Sequence, residues 1–525
     1  MQLFDRDASA RKHLLRFCGL FGLLLTFGLL IPSSIPLGIP GEWVWPRLAA
    51  PADMVEWLDR GLQPLIAVLL VLGLAFVGDR VLHRCSQWGW SLLLLLLAAA
   101  SIFWQYSALC AAPSPQSELR TLWVNYDPWA TGYFLDAVQD GRSVTEFLAG
   151  FESEVARGDV LHRGTHPPGL PLLNRLLLAA TRVLPGLSAR LVGVAEGTAA
   201  VVSFRSLERQ AGLARILGVP ELAALLLLAA LAALCCGFVP IFTALLMLQL
   251  HSRRVAWRAA VISVGLPAIA VFQPRSDTYY AASGLLLLLL TSYGLGTRWR
   301  WQSFAWGSLA GCWVFLCLLV SLVHLPILVA AGLWTIFVAC GAVRERGRAV
   351  LCYWLGCSGL VGLLTFFGGL ATGCRPWVVW TQNLTNHEGF YDQYARTWWK
   401  WLLVNPVELA FAAGCPLAML GAVGAVGGIQ RMVRRDSESL WPALSVALTA
   451  TWLLLLFSGK NQGEAARLWI FITPWMVLAA APLLTTSPET PDSSRRFDCS
   501  WLLLLVCQLV VCALTAGRVS GYLQF

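Results

Sequence analysis

The feature that most constrains this chain is a succession of long, almost uncharged apolar stretches, such as Leu62–Leu82, Leu222–Cys236 and Ala349–Leu370. A helix needs about 20 apolar residues to cross the hydrocarbon core of a bilayer. Backbone N–H and C=O groups find no water there, so only helices or closed barrels can span it. The stretches are too continuous for the two-residue alternation of a membrane barrel. Only 13% of residues are charged and 57% are hydrophobic, whereas soluble domains carry charge on about a quarter of residues. The expectation is an all-α integral membrane protein, a polytopic helical bundle of about 13–15 transmembrane helices with external interfacial helices.

Spans are expected near 13–31, 62–83, 88–111, 188–206, 216–236, 238–251, 258–273, 278–295, 303–320, 322–343, 349–370, 405–428, 441–458, 467–485 and 499–516. The first follows the basic residues Arg6, Arg11 and Lys12. Ile31-Pro-Ser-Ser-Ile-Pro offers no small-x-small cleavage site, so an uncleaved span is expected. The net charge of +9 is spread in short clusters between spans rather than along one face, a membrane pattern and not a nucleic-acid one. The 15 Cys sit mostly inside apolar runs, as Cys235, Cys236, Cys312, Cys317, Cys507 and Cys512 do, and read as small buried apolar residues.

Alternate connections are basic. They carry Arg80 and Arg84; Arg205, Arg209 and Arg215; Arg253, Arg254 and Arg258; Arg298 and Arg300; Arg344, Arg346 and Arg348; Arg431, Arg434 and Arg435; Arg495 and Arg496. Positive connections stay in the cytoplasm, which predicts a cytoplasmic N-terminus. Segments 32–61, 112–187, 371–404 and 459–466 are then external. The chain reads as a single domain over 1–525, with 112–187 as a large external catalytic loop and 371–404 as a second one. Within the first, Leu170–Val183 is apolar on one side but carries Asn174, Arg175 and Arg182, as a helix lying in the interface does.

Three external constellations carry candidate chemistry. Asp127 stands in Asn-Tyr-Asp-Pro-Trp, followed by Gly132, Tyr133 and Asp136. Pro128 biases Asp127 away from helical geometry, so the acid is expected just before a helix starting near Trp129. Its plain reading is an N-cap; its functional reading is a general base. Thr165-His166-Pro167-Pro168-Gly169 aims His166 from a rigid turn, where it either caps the turn or acts on substrate. His162 lies four residues upstream, but no further ligand has zinc spacing. Lys460-Asn-Gln-Gly-Glu464-Ala-Ala-Arg467 places two cations and an acid between apolar spans. They serve either as interface anchors or as a phosphate site, where guanidinium makes paired charge-assisted hydrogen bonds. Asp277 in a short external turn and His387 in the second loop could face the same cavity. The tryptophans at 398, 399 and 401 read as belt residues before sugar platforms.

These residues resemble the GT-C superfamily of polytopic membrane glycosyltransferases, relatives of protein mannosyltransferases and of the lipid-A aminoarabinose transferase. The resemblance rests on Asp127-Pro-Trp-Ala-Thr-Gly-Tyr-Phe-Leu-Asp-Ala, on Thr165-His-Pro-Pro-Gly-Leu-Pro, and on Gly463-Glu-Ala-Ala-Arg-Leu-Trp-Ile-Phe with Pro474 after it. It implies a large outer loop with an essential acid and a polyprenyl-phosphate sugar donor. The acceptor is a glycan, lipid or protein. Here two extra spans precede that loop where most relatives have one, and a single Asp127 replaces an acid pair. The implied roles are Asp127 as general base, with Asp136 in reserve, and His166 beside it. Arg467 and Lys460 would take the donor phosphate, while Tyr133, Asp136, Asp277, His387 and Glu464 line the substrate site. No cofactor is demanded, although the acids leave room for a divalent cation. A bacterial inner membrane, with the site facing the periplasm or exterior, is the expected location. The rival reading is a transporter or lipid flippase, which would need polar residues inside its spans; a non-catalytic scaffold is the third.

Overall fold

The computed structural model describes residues 8–128, 130–161, 164–210, 216–297, 299–341, 344–434, 440–485 and 499–522. It is an all-α, multi-pass membrane protein. Ten helices among the described residues are long and apolar enough to cross a bilayer, or up to eleven if the sharply bent pair Gly169–Val183 and Pro185–Ala195 counts as one. The sheet is minimal, with Gly38–Ile39 pairing antiparallel to Trp43–Val44. Large apolar side chains such as Leu24, Leu69, Phe367 and Leu454 point outward and are more than half exposed. That surface is tolerable only against lipid.

Three further stretches run along the bundle in shorter or broken pieces: Arg253–Ser263 with Pro267–Phe272, His324–Gly341, and the segments from Ala465 to Leu484. A break inside an apolar bundle frees backbone carbonyls that must find new donors. The freed Val264 carbonyl accepts from Gln105 Nε2 at 3.0 Å. A second break lies at Gly414 (φ +89°), between Trp398–Ala413 and Cys415–Val433. The wholly buried Gln508 serves both places. Its Nε2 donates to Gly265 O and to Ala413 O, each at 2.8 Å, and its Oε1 accepts from Leu417 N at 3.3 Å. Gly414 is required twice, by its positive φ and because a Cβ there would lie 2.3 Å from Gln508 Nε2. Gln508→Leu should therefore strand two carbonyls and one N–H, each costing about 1–3 kcal/mol. A marked drop in the thermal midpoint in detergent is expected, while the lipid-facing Leu454→Ala should barely move it. Equal midpoints for both variants would remove Gln508 from this role.

Those two breaks fall inside the expected spans 258–273 and 405–428, and in one further region the number of crossings differs from the sequence expectation. The runs 216–236 and 238–251 form a single helix, Val219–Leu250, with Pro240 inside it. At about 1.5 Å per residue its 32 residues reach about 48 Å, well beyond the roughly 30 Å hydrocarbon core. The expected span 188–206 is not one helix but Pro185–Ala195 followed by Ala199–Gln210. The latter packs on Gln116–Tyr126: Ser203 Oγ donates to Glu118 at 3.2 Å, and Phe204 meets Tyr126 edge to face. Within it Arg205 pairs with Glu208 at 2.6 Å. Arg205 and Arg209 thus belong with segment 112–187 and not at the opposite end, and three expected crossings become one. Arg215 lies outside the described residues.

Elsewhere the two ends sort as the charges suggest. Arg11 donates to Thr485 O, Arg16 to Ser500 and Arg253 to Cys85 O, while Arg258 pairs with Asp79. At the other end segments 32–61, 112–187, 371–404 and 459–466 bind one another. That polar end holds every candidate residue.

Candidate active site

The turn after Tyr126 comes first. The helix start expected near Trp129 falls on a residue outside those described; Pro128, Ala130 and Thr131 around it form a turn rather than a helix. Asp127 ends the helix Gln116–Tyr126, and its carbonyl accepts from the N–H groups of Ala130, Thr131 and Gly132 at 3.1–3.4 Å. Gly132, at φ +71°, then opens the helix Tyr133–Gln139. Asp127 is half-buried at this turn, and Asp136 falls in the first turn of the new helix. The turn is fastened from another element: Arg275 donates through Nη2 to Ala130 O, and reaches Gly521 O at 3.5 Å.

Tyr133 is the centre of the site. Its ring meets His166 edge to face at 6.0 Å. Burial pushes its phenol well above the ordinary tyrosine range, and the neighbouring Tyr280 and Asp277 add to the effect. The His166 turn is held from below by the helix Pro376–Gln393, so segment 371–404 is largely helical. Asn383 Nδ2 donates to Gly164 O at 2.6 Å and to His166 O at 3.3 Å, and Asn386 Nδ2 to Gly164 O at 2.8 Å. Arg375 on Glu152 at 2.8 Å closes the same junction. Arg175, on the amphipathic helix Gly169–Val183, and Arg142 share the carboxylate of Asp140, which the hydrogen bonds from Arg142 hold well below the usual carboxylate range.

Glu464 and Arg467 form the third side. Glu464 sits at φ +55°, a strained value for a residue with a side chain, and is buried between two guanidiniums. Arg467 Nη2 lies 2.6 Å from one carboxylate oxygen and Arg396 Nη2 3.6 Å from the other. Arg467 also stands within electrostatic reach of Asp277, Tyr280 and Tyr133. Its Nε is buried without a hydrogen-bond partner. The structure therefore brings Tyr133, His166, Asp277, Glu464 and Arg467 together, with Asp127 on the turn before Tyr133 and Asp136 one turn further along Tyr133's own helix.

It does not bring Lys460 or His387 to Arg467. Lys460 pairs with Glu388, both more than half exposed, and His387 lies beside them against Tyr391 at 6.2 Å. Burial, aided by the nearby Lys460, holds the His387 imidazole below its ordinary value. Among the described residues no group of three His, Cys, Asp or Glu could hold a metal ion; His162 lies outside them.

Two residues position the Arg467 segment: Arg396, which the sequence shows only as one of the polar residues of the second external loop, and Glu42, which it does not single out. Arg396 donates to Gln462 O at 3.0 Å and lies over the rings of Trp43, Phe390 and Trp401. Glu42 accepts four hydrogen bonds: from Thr397 N and Oγ1 (2.8 and 2.6 Å), Lys400 Nζ (3.1 Å) and Trp401 Nε1 (2.7 Å). Trp401 is fully buried in this clamp, unlike the exposed Trp398 and Trp399. Burial raises the Glu42 carboxyl, but the hydrogen bonds from Thr397, Lys400 and Trp401 outweigh it and bring it to about 2. A depressed folded value means stability present above the unfolded value of about 4.3 and lost as pH falls toward about 2. The thermal midpoint should thus fall between about pH 4.5 and 2, and Glu42→Gln should flatten that part of the curve. An identical acid limb in the variant would count against the clamp.

Two apolar cavities open toward the bilayer below this end. One, of about 330 Å³, is lined by Leu25, Pro406, Leu409, Leu448, Trp475 and Met476 among others. The other, of about 300 Å³, is walled by Leu30, Ile35, Trp45, Phe272, Val407 and Ala466, the last adjacent in sequence to Arg467. No protein-family model, no curated protein and no solved structure matches this chain, so the site stands on its own geometry.

Proposed function

We propose that the chain is a membrane glycosyltransferase that moves a sugar from a polyprenyl-phosphate donor to a glycan, lipid or protein acceptor. The observation that carries this reading is the position of Arg467. It is a half-buried guanidinium whose buried Nε is unspent, set between a polar basin (Tyr133, His166, Asp277) and membrane-facing apolar cavities. A lipid phosphate bearing a sugar has that layout: tail in an apolar groove, phosphate on the cation, sugar in the basin. The resemblance of the Asp127, His166 and Arg467 motifs to GT-C enzymes points the same way.

In this reading the acceptor hydroxyl attacks the anomeric carbon while Asp127 takes its proton. The bond from that carbon to the phosphate oxygen breaks, and the phosphate leaves with the electron pair against Arg467. Tyr133 and His166 pack beside the sugar. Glu464 orients Arg467 by its 2.6 Å pair, while Arg396 and Glu42 keep the segment in place. In a bacterial inner membrane with the basic end in the cytoplasm, this chemistry faces the periplasm. A transporter would use helix breaks such as those at Val264 and Gly414 to line a path. Here Gln105 and Gln508 consume the freed carbonyls, which favours the enzyme. The test is transfer from a panel of radiolabelled polyprenyl-phosphate sugars by the purified protein in detergent. Failure of every donor to bind or react, with the protein folded, would return the question to transport.

A further inference from the structure

A second cationic site lies at the polar end, away from Arg467. Arg47 Nη1 donates to Leu29 O at 2.9 Å and to Leu30 O at 3.2 Å, and its Nη2 to Ile35 O at 2.6 Å. Arg518 Nε donates to the same Leu30 O at 3.0 Å. Two guanidiniums that share one carbonyl oxygen stand close together, and Arg60 adds its charge to Arg518. Only Arg60 has an acid, Glu56; neither Arg47 nor Arg518 has a carboxylate partner among the described residues. Arg518 is only 8% exposed, and its Nη1 is buried with no hydrogen-bond partner. Capping the end of the helix Ala8–Leu30 accounts for the carbonyl contacts. It does not account for a buried, unpaired N–H on one of two adjacent like charges, an arrangement that an anion would relieve.

What lies beneath is apolar. Leu29, Leu30 and Ile35, whose carbonyls the arginines hold, line the 300 Å³ cavity, and so does Val519, next to Arg518. Ile35 and Val407 on its wall are 60% and 52% exposed, so it opens sideways to the bilayer. Its one acid, Glu408, is buried and directs Oε2 toward Ala466 N at 3.4 Å. A cationic rim beside an apolar slot open to lipid matches one class of molecule. We propose that Arg47 and Arg518, with Arg60 beside them, hold the phosphate of an anionic bilayer phospholipid whose acyl chain occupies this cavity. The inference gives to a bilayer lipid one of the two cavities beside Arg467 and leaves the 330 Å³ cavity to the donor's tail in the transfer reading.

The test uses the full chain in vesicles of phosphatidylcholine containing a minor fraction of phosphatidylglycerol, with retained lipids counted by mass spectrometry after mild extraction. Phosphatidylglycerol should be enriched on the protein by about tenfold or more, the scale of one charge-assisted phosphate contact. Arg47→Gln with Arg518→Gln should bring the ratio close to that of the vesicle. Because those arginines also cap a helix, Val407→Trp provides the second arm: it fills the slot without touching either cation and should also abolish the enrichment. Parity between the two lipids on the native protein would overturn the proposal. So would enrichment that survives Val407→Trp, or its loss to millimolar inorganic phosphate alone, which would mean a free-anion site. Displacement of phosphatidylglycerol by stoichiometric polyprenyl phosphate would assign the slot to the sugar carrier and overturn it as well.

Discussion

Asp127→Asn is expected to lower sugar transfer by at least about 100-fold, the lower end for loss of a general base. The substitution is nearly isosteric but removes the ability to take a proton. The backbone of the turn should survive it, because the three N–H groups of Ala130, Thr131 and Gly132 bond the Asp127 carbonyl and not its side chain. Arg275 holds the turn through Ala130 O independently. Donor binding and the thermal midpoint should therefore stay near native, and the loss should appear in kcat. Asp136→Asn should cost far less, since Asp136 lies in the first turn of the next helix, beyond Gly132. The reverse outcome, with Asp136→Asn inactive and Asp127→Asn active, would move the base to Asp136 and leave the reaction class intact. If neither substitution matters in a folded protein, transport becomes the better account.

Arg467→Lys is expected to weaken binding of a polyprenyl-phosphate sugar by about tenfold or more, because lysine keeps the charge but loses the planar pair of donors. Arg467→Ala should be more severe, and less clean. It leaves Glu464 with only the 3.6 Å contact to Arg396, and a buried carboxylate stripped of its partner is strongly destabilising. The lysine variant is thus the decisive one, read as donor Kd alongside thermal midpoint. Unchanged Kd in Arg467→Lys together with Arg467→Ala would take the phosphate away from this residue. Lys460→Gln should change donor Kd little, since Lys460 is spent on an exposed pair with Glu388, and such pairs are worth about 1 kcal/mol or less. A loss in Lys460→Gln equal to that in Arg467→Lys would show that both cations touch the phosphate.

How much of this was legible varies with the distance between partners along the chain. Glu464 and Arg467 are three residues apart, and their pairing could be anticipated from one helical turn. The reach of Tyr133 to His166 joins two motifs that were each visible, but their meeting depends on how the helix Pro376–Gln393 supports the Gly164 carbonyl through Asn383 and Asn386. Glu42 gave no signal at all. It lies among glycine and tryptophan in a short hairpin, and its meaning comes from donors about 355 residues away. Trp401 looked like its neighbours Trp398 and Trp399, yet burial separates them completely. Positive-inside counting was misled at Arg205 and Arg209 because it treats every cation between apolar runs as solvated. An amphipathic helix that folds back on Tyr126 and supplies its own Glu208 carries no such information.

The sequence by itself determined that the chain is helical and lives in a bilayer, since uninterrupted apolar runs leave the backbone no other way to satisfy its hydrogen bonds. It also determined which residues of each polar segment could do chemistry, because side-chain type limits proton transfer and phosphate binding. The tertiary structure alone decided which apolar runs join into one helix, as at Val219–Leu250, and which break, as at Gly414. Hydropathy measures transfer to lipid and is blind to a glutamine such as Gln508 that pairs the carbonyls freed by a break. It decided equally that Arg467 joins the site while Lys460 faces outward. Both residues have the same charge and occupy the same short loop, and only the packing of Glu464, Arg396 and Glu388 around that loop gives each its direction.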